Sequence, residues 1–141
     1  MSGDIIHTDI LLDSTLKSVD QGEELALEAA RGVGFSGEDL SDIGIAVREC
    51  LVNAVTHGNR YNAKKKVHLR ILIGGARLTV EVMDEGAGFA AAAVPDPLEG
   101  DNLLRQSGRG ILMMRHYMDE VESFPREGGG TAIRMVKNLA N

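Results

Sequence analysis

The chain has 141 residues, 43% hydrophobic and 26% charged, enough to bury one core with little to spare for a second domain. Its net charge is −6, with 11 acids against 3 bases in residues 1–50 and 10 against 12 in residues 51–141, which disfavours a DNA-coating surface. Aromatics at 4% without tryptophan speak against a base-stacking platform, and the single Cys50 excludes an internal disulfide and fits a reducing compartment. No apolar run approaches the roughly 18 residues of a membrane span, and no signal-peptide core opens the chain. These features read as one cytoplasmic domain over residues 1–141, with neither nucleic acid nor membrane as partner.

Ile5 to Leu12 alternates as a strand does, and Ser14 to Asp20 reads as a polar turn. Glu23 to Arg31 is rich in helix formers and stops at Gly32 and Gly34. Ser36-Gly37-Glu38-Asp39 has the form of a capping box opening a helix to about His57, with Leu40, Ile43, Val47, Cys50, Leu51 and Ala54 on one apolar stripe. Val67 to Ile73 and Leu78 to Val82 alternate around Gly74-Gly75, as in an antiparallel hairpin. Residues 90–107 show no periodicity and read as a long loop. A short helix near Gly110 to Met118, a strand at Glu120 to Phe124, a Gly128-Gly129-Gly130 turn and a strand at Thr131 to Val136 complete the chain. The order β-α-α-β-β-α-β-β implies an α+β fold, two layers with helices on one face of a mixed, mostly antiparallel sheet.

Chemistry concentrates at four places. Glu49, Asn53 and His57 follow i, i+4, i+8, so at 100° per residue they form a stripe about 80° wide beside the apolar one. Its carboxylate and amide oxygens suit Mg²⁺ or a polarised hydroxyl; a solvated face gives the same pattern. Asp84-Glu85-Gly86-Ala87-Gly88-Phe89 ends a strand, and alternation puts Asp84 on the face of Leu78, Val80 and Val82. A buried carboxylate needs a donor, nothing in the local sequence supplies one, and an adenine amine has the right size; a strand-end turn with an exposed acid is the bland reading. Ser107-Gly108-Arg109-Gly110 opens a helix, where backbone N–H groups and Arg105 or Arg109 suit a phosphate, although capping turns look alike. Gly128 to Thr131 taken alone is a hairpin turn.

The order Glu49-x-x-x-Asn53-Ala54-x-x-His57-Gly58, Asp84-x-Gly86-x-Gly88-Phe89, Gly108-x-Gly110 and a glycine-Thr131 turn resembles the four boxes of the GHKL, or Bergerat-fold, ATP-binding superfamily over nearly the whole chain. The compact size, the Gly-Phe-Ser entry to the second helix and Met118-Asp119-Glu120-Val121 are most similar to the branch of bacterial anti-sigma factor serine/threonine kinases. The resemblance implies ATP and Mg²⁺ as cofactors. Asp84 would meet the adenine amine, Gly86 and Gly88 would shape the base pocket, and Thr131 would help fix the base. Asn53 would hold Mg²⁺, Gly108 and Gly110 would turn N–H groups to the phosphates, and residues 90–107 would form a lid. Arg105, on that lid, is preferred to Arg109 for the γ-phosphate. His57 would contact a phosphate or simply finish its helix. Glu49 takes the general-base position.

By resemblance the chain is a protein serine/threonine kinase that sequesters a sigma factor and phosphorylates an anti-anti-sigma partner of the STAS type. The resemblance also extends to a homodimer, which no motif here demonstrates. Two alternatives stand beside it: a module whose ATP only locks a conformation, for which Glu49 would be superfluous, and the excised catalytic domain of a histidine kinase. The chain has no room for the helical phosphoacceptor domain of the latter.

Overall fold

A computed structural model of the chain describes residues 3–86 and 110–139. Alternating burial along β1 (Ile5–Asp13), β2 (Lys66–Gly74) and β3 (Arg77–Met83) builds one side of a sheet, completed by β4 (Glu120–Pro125) and β5 (Thr131–Asn138). The helices are α1 (Leu16–Val33), α2 (Gly37–Asn53), which runs into a π-helical turn at Ala54–Gly58, and α3 over residues 110–117. The strand order is β1-β2-β3-β5-β4. Every adjacent pair is antiparallel, so the sheet among the described residues is not mixed; otherwise the element order and the one-sided helices are as the sequence implies.

Leu12, Val67, Leu69, Ile71, Leu78, Val80 and Met135 point from the sheet into a single apolar core, met by Val19, Ala26 and Ala30 of α1, Ile43, Val47 and Leu51 of α2, and Met114 of α3. Small side chains let the first two helices approach closely. A β-carbon on Gly22 would lie 2.6 Å from Leu51 Cδ1, so glycine there sets how near α1 comes to α2.

Three local expectations change. Ser14 to Asp20 is not a turn: Thr15 caps α1 by accepting from Ser18 N at 3.2 Å, and Val19 already packs into the core, so burial overrides the polar run. At the other end Gly34, at φ 120°, turns its N–H back to the Ala30 and Arg31 carbonyls and stops the helix. Ser36 does occupy the N-cap of α2, but its side chain makes no capping bond, since Gly37 turns away at φ +58°. Finally, α2 does not run as a regular helix to His57. Thr56 Oγ1 donates to the Val52 carbonyl at 2.8 Å, and Asn59 N reaches Ala54 O at 2.8 Å, five residues back.

Candidate functional site

The site lies where the end of β3, the end of α2, the start of α3 and the β4–β5 turn meet. Asp84 continues the inward face of Leu78, Val80 and Val82 and is 8% exposed, as alternation requires. Its main chain extends the sheet, with Asp84 N donating to Thr131 O at 2.9 Å. Contrary to the sequence reading, donors are at hand: Gly86 N at 3.0 Å and Thr131 N at 3.1 Å both reach Oδ1. The first closes an Asx-type bend two residues on, and the second comes from the neighbouring strand, which local sequence cannot reveal. Among the described residues no hydrogen bond falls on Oδ2, which faces Gly58. Burial lifts the Asp84 carboxyl above its ordinary value, opposed by those two N–H groups and by the charges of Arg126 and Lys65.

Glycines stand around Asp84 because side chains there would collide with the neighbouring segments. A β-carbon on Gly58 would lie 2.5 Å from Asp84 Cγ, and one on Gly86 would lie 2.7 Å from the Gly58 carbonyl carbon. Gly130, at φ 101°, presses against the Asp84 carbonyl, where its β-carbon would lie 3.0 Å from Asp84 C. Arg126, from the same turn, donates Nη1 to that carbonyl at 2.6 Å. The result is a tight meeting of backbone segments around Asp84, with one carboxylate oxygen left without a hydrogen bond among the described residues.

On the adjacent side Glu49 and Asn53 sit one turn apart on α2, both half-buried. A β-carbon on Gly110 would stand 2.5 Å from Asn53 Nδ2 and 3.1 Å from Glu49 Oε1, so the start of α3 lies against this pair. His57 is exposed on the π turn, where the 100° step of the helical wheel no longer holds; no contact among the described residues brings it to the site. Thr131 is 9% exposed beside Asp84. Gly88, Arg105, Gly108 and Arg109, and the proposed lid over 90–107, lie outside the described residues. Thus Glu49, Asn53, Asp84, Gly86, Gly110 and Thr131 come together from segments far apart in the chain.

Cys50 lies beneath, fully buried in the core, and burial, aided by the nearby Asp84 and Glu49 charges, pushes its thiol well above the ordinary range. Sequence reasoning gave Gly58 no role against Asp84, and it missed Asn59, Ser14 and Arg126. For Gly58 the signal existed in the box pattern; for the other three no periodicity or motif marks them.

A purine with a triphosphate fits this donor set. Asp84 Oδ2 offers an acceptor for an amine. Asn53 and Glu49 present hard oxygens, but no group of three or more His, Cys, Asp or Glu side chains gathers among the described residues. A cation here would therefore need phosphate oxygens and water to complete its shell.

Residues 12–137 match the family model of the histidine kinase-like ATPase domain. The chain belongs to that family. It falls in the anti-sigma branch of the GHKL superfamily and is an ATP-binding domain. Over 106 residues it is 35% identical to the anti-sigma F factors of Bacillus thuringiensis and Bacillus mycoides, covering 74% of this chain and 73% of each relative. A crystal structure of the RsbU and RsbW domains of a Mycobacterium tuberculosis protein superposes with a TM-score of 0.67 at 20% identity, over 94% of this chain. That likeness speaks to the fold, and the chain spans 31% of the mycobacterial protein. Among the described residues no helix is long and apolar enough to cross a membrane.

Proposed function

We propose that the chain is an ATP-dependent protein serine/threonine kinase acting as an anti-sigma regulatory factor, which binds a sigma factor and phosphorylates an anti-anti-sigma partner of the STAS type. The observation that carries this reading is the meeting of Glu49 and Asn53 with Gly110, on the helix whose final turn sets Gly58 against Asp84. A module that only bound ATP would need Asp84 but not the half-buried Glu49 carboxylate. The anti-sigma F relatives support a sigma factor as the bound partner.

Bound ATP supplies the phosphoryl group, and Mg²⁺ supplies charge neutralisation. Asp84 Oδ2 accepts from the base amine and fixes the register of the nucleotide. The backbone of Gly58, Gly86 and Gly130, packed tightly around Asp84, would hold that carboxylate in place for the base. Asn53 would hold Mg²⁺ through its amide oxygen. Glu49 orients the attacking serine hydroxyl and takes its proton as the oxygen–phosphorus bond forms and the bond to the β-phosphate bridge breaks. Positioning and electrostatics carry most such transfers, so this small set of side chains suffices.

The test is incubation with labelled ATP, Mg²⁺ and a lysate of the source cell, with wild type and Glu49→Gln in parallel. Wild type is expected to label a small protein, and the variant to bind Mg·ATP within about threefold while losing transfer by about 10²–10⁴-fold. Binding without transfer in wild type, or full transfer by the variant, contradicts the proposal.

A further inference from the structure

The polar residue most thoroughly built into the molecule near this site is Asn59, which no box of the family pattern includes. It is 1% exposed and directly follows Gly58. Its Nδ2 donates to Ser14 Oγ at 2.9 Å and to Lys66 O at 3.0 Å, while its Oδ1 accepts from Glu85 N at 2.7 Å. The Lys66 carbonyl can only accept and the Glu85 amide can only donate, so these partners fix the orientation of the side-chain amide. Ser14, itself 2% exposed, donates onward to Lys65 O at 2.6 Å. Lys66 N in turn donates to Glu85 Oε2.

These bonds bind three separate segments at one point: the end of β1, the entry to β2, and the bend Asp84-Glu85-Gly86 after β3. The bend is where the sheet ladder stops. On one side Asp84 pairs with Thr131; on the other, Glu85 N would have no partner among the described residues without Asn59. The same bend presses its Gly86 on Gly58, the residue before Asn59. A buried amide that satisfies both its donors here is held rigidly, because any shift leaves a backbone group unpaired in the interior.

We infer that Asn59 is a positioning residue for the base: by clamping Glu85 N it holds the Asp84–Gly86 bend, and with it the Asp84 carboxylate, at the angle that reads the amine. This rests on the assignment of Asp84 to the base. The effect of losing it is therefore specific. Free movement of the bend removes the directional bond to the amine before it removes stacking or phosphate contacts.

Calorimetric titration with Mg·ATP and Mg·ITP separates this from a structural role, since inosine carries a carbonyl where adenine carries the amine. Wild type is expected to prefer ATP by about tenfold or more, the usual size of a hydrogen bond to a charged group. Ser14→Ala, which leaves Asn59 Oδ1 on Glu85 N, is expected to melt lower yet keep that preference. Asn59→Ala is expected to reduce it to about threefold or less. Asn59→Ser, whose shorter side chain leaves room for water, is expected to do the same and provides the test if the alanine variant does not fold. A variant at Asn59 that weakens both nucleotides equally, with the preference intact, overturns the inference. A wild type that does not distinguish ATP from ITP refutes the base assignment itself, and the inference falls with it.

Discussion

Replacing Gly58 with alanine tests the site where it is packed most tightly against the Asp84 carboxylate. Gly58 has no left-handed φ, so only the close approach of Asp84 demands glycine. The new β-carbon would begin 2.5 Å from Asp84 Cγ and 2.9 Å from Asp84 Cβ. Carbon atoms settle at about 3.5–4.0 Å, so the carboxylate must retreat by about 1 Å. The bonds from Gly86 N and Thr131 N, now 3.0 and 3.1 Å, would then stretch beyond hydrogen-bond range. Loss of a well-aimed carboxylate–amine bond costs about 1.5–3 kcal/mol, so ATP affinity should fall by about 10- to 150-fold. Overpacking adds a stability loss of about 1–3 kcal/mol, read as a lower thermal midpoint. Gly32→Ala is the control: nothing lies within 4 Å of its β-carbon, so a gain of about 0.5–1 kcal/mol with unchanged ATP binding is expected. Calorimetric titration decides the matter, and a Gly58→Ala protein that binds ATP within about twofold of wild type would refute the reasoning.

Asp84→Asn is expected to abolish ATP binding while changing the pH dependence of the unliganded protein in a defined direction. Burial raises the folded-state pKa of this carboxyl, so the folded protein holds its proton more firmly than the unfolded chain. The ionised group thus costs stability at neutral pH, and the cost disappears as pH falls toward the unfolded value of about 3.9. On acidification from neutrality the thermal midpoint of wild type should rise relative to that of the Asn variant; a relative fall would contradict the burial argument. Cys50, buried with its thiol pushed upward, should react with an alkylating reagent far more slowly in the native protein than in denaturant. Rapid native labelling followed by mass spectrometry would place that thiol outside the core.

Most of the architecture was legible from the sequence because patterning in strands and helices obeys two fixed periods. Val67 to Ile73 and Leu78 to Val82 alternate cleanly and pair in the expected hairpin. The same alternation buried Asp84. What failed was local polarity as a guide: Ser14 to Asp20 looked like a turn, yet Thr15 caps a helix whose Val19 is needed in the core. The helical wheel at constant angle did not foresee the π turn at Ala54–Gly58 that carries His57. Donors to Asp84 were missed for a different reason. Thr131 is 47 residues away, and only the β3–β5 pairing brings its N–H to the carboxylate. Asn59 illustrates the general limit, since a buried amide joining three segments leaves no periodic trace in any one of them.

The direct measurement is a crystal structure of the protein with Mg²⁺ and a non-hydrolysable ATP analogue. The account requires the exocyclic nitrogen of adenine within hydrogen-bond distance of Asp84 Oδ2, the ring against Gly58 and Gly86, and the triphosphate beside Asn53 and Glu49. A nucleotide seated elsewhere, or one whose base amine makes no contact with Asp84, would contradict it.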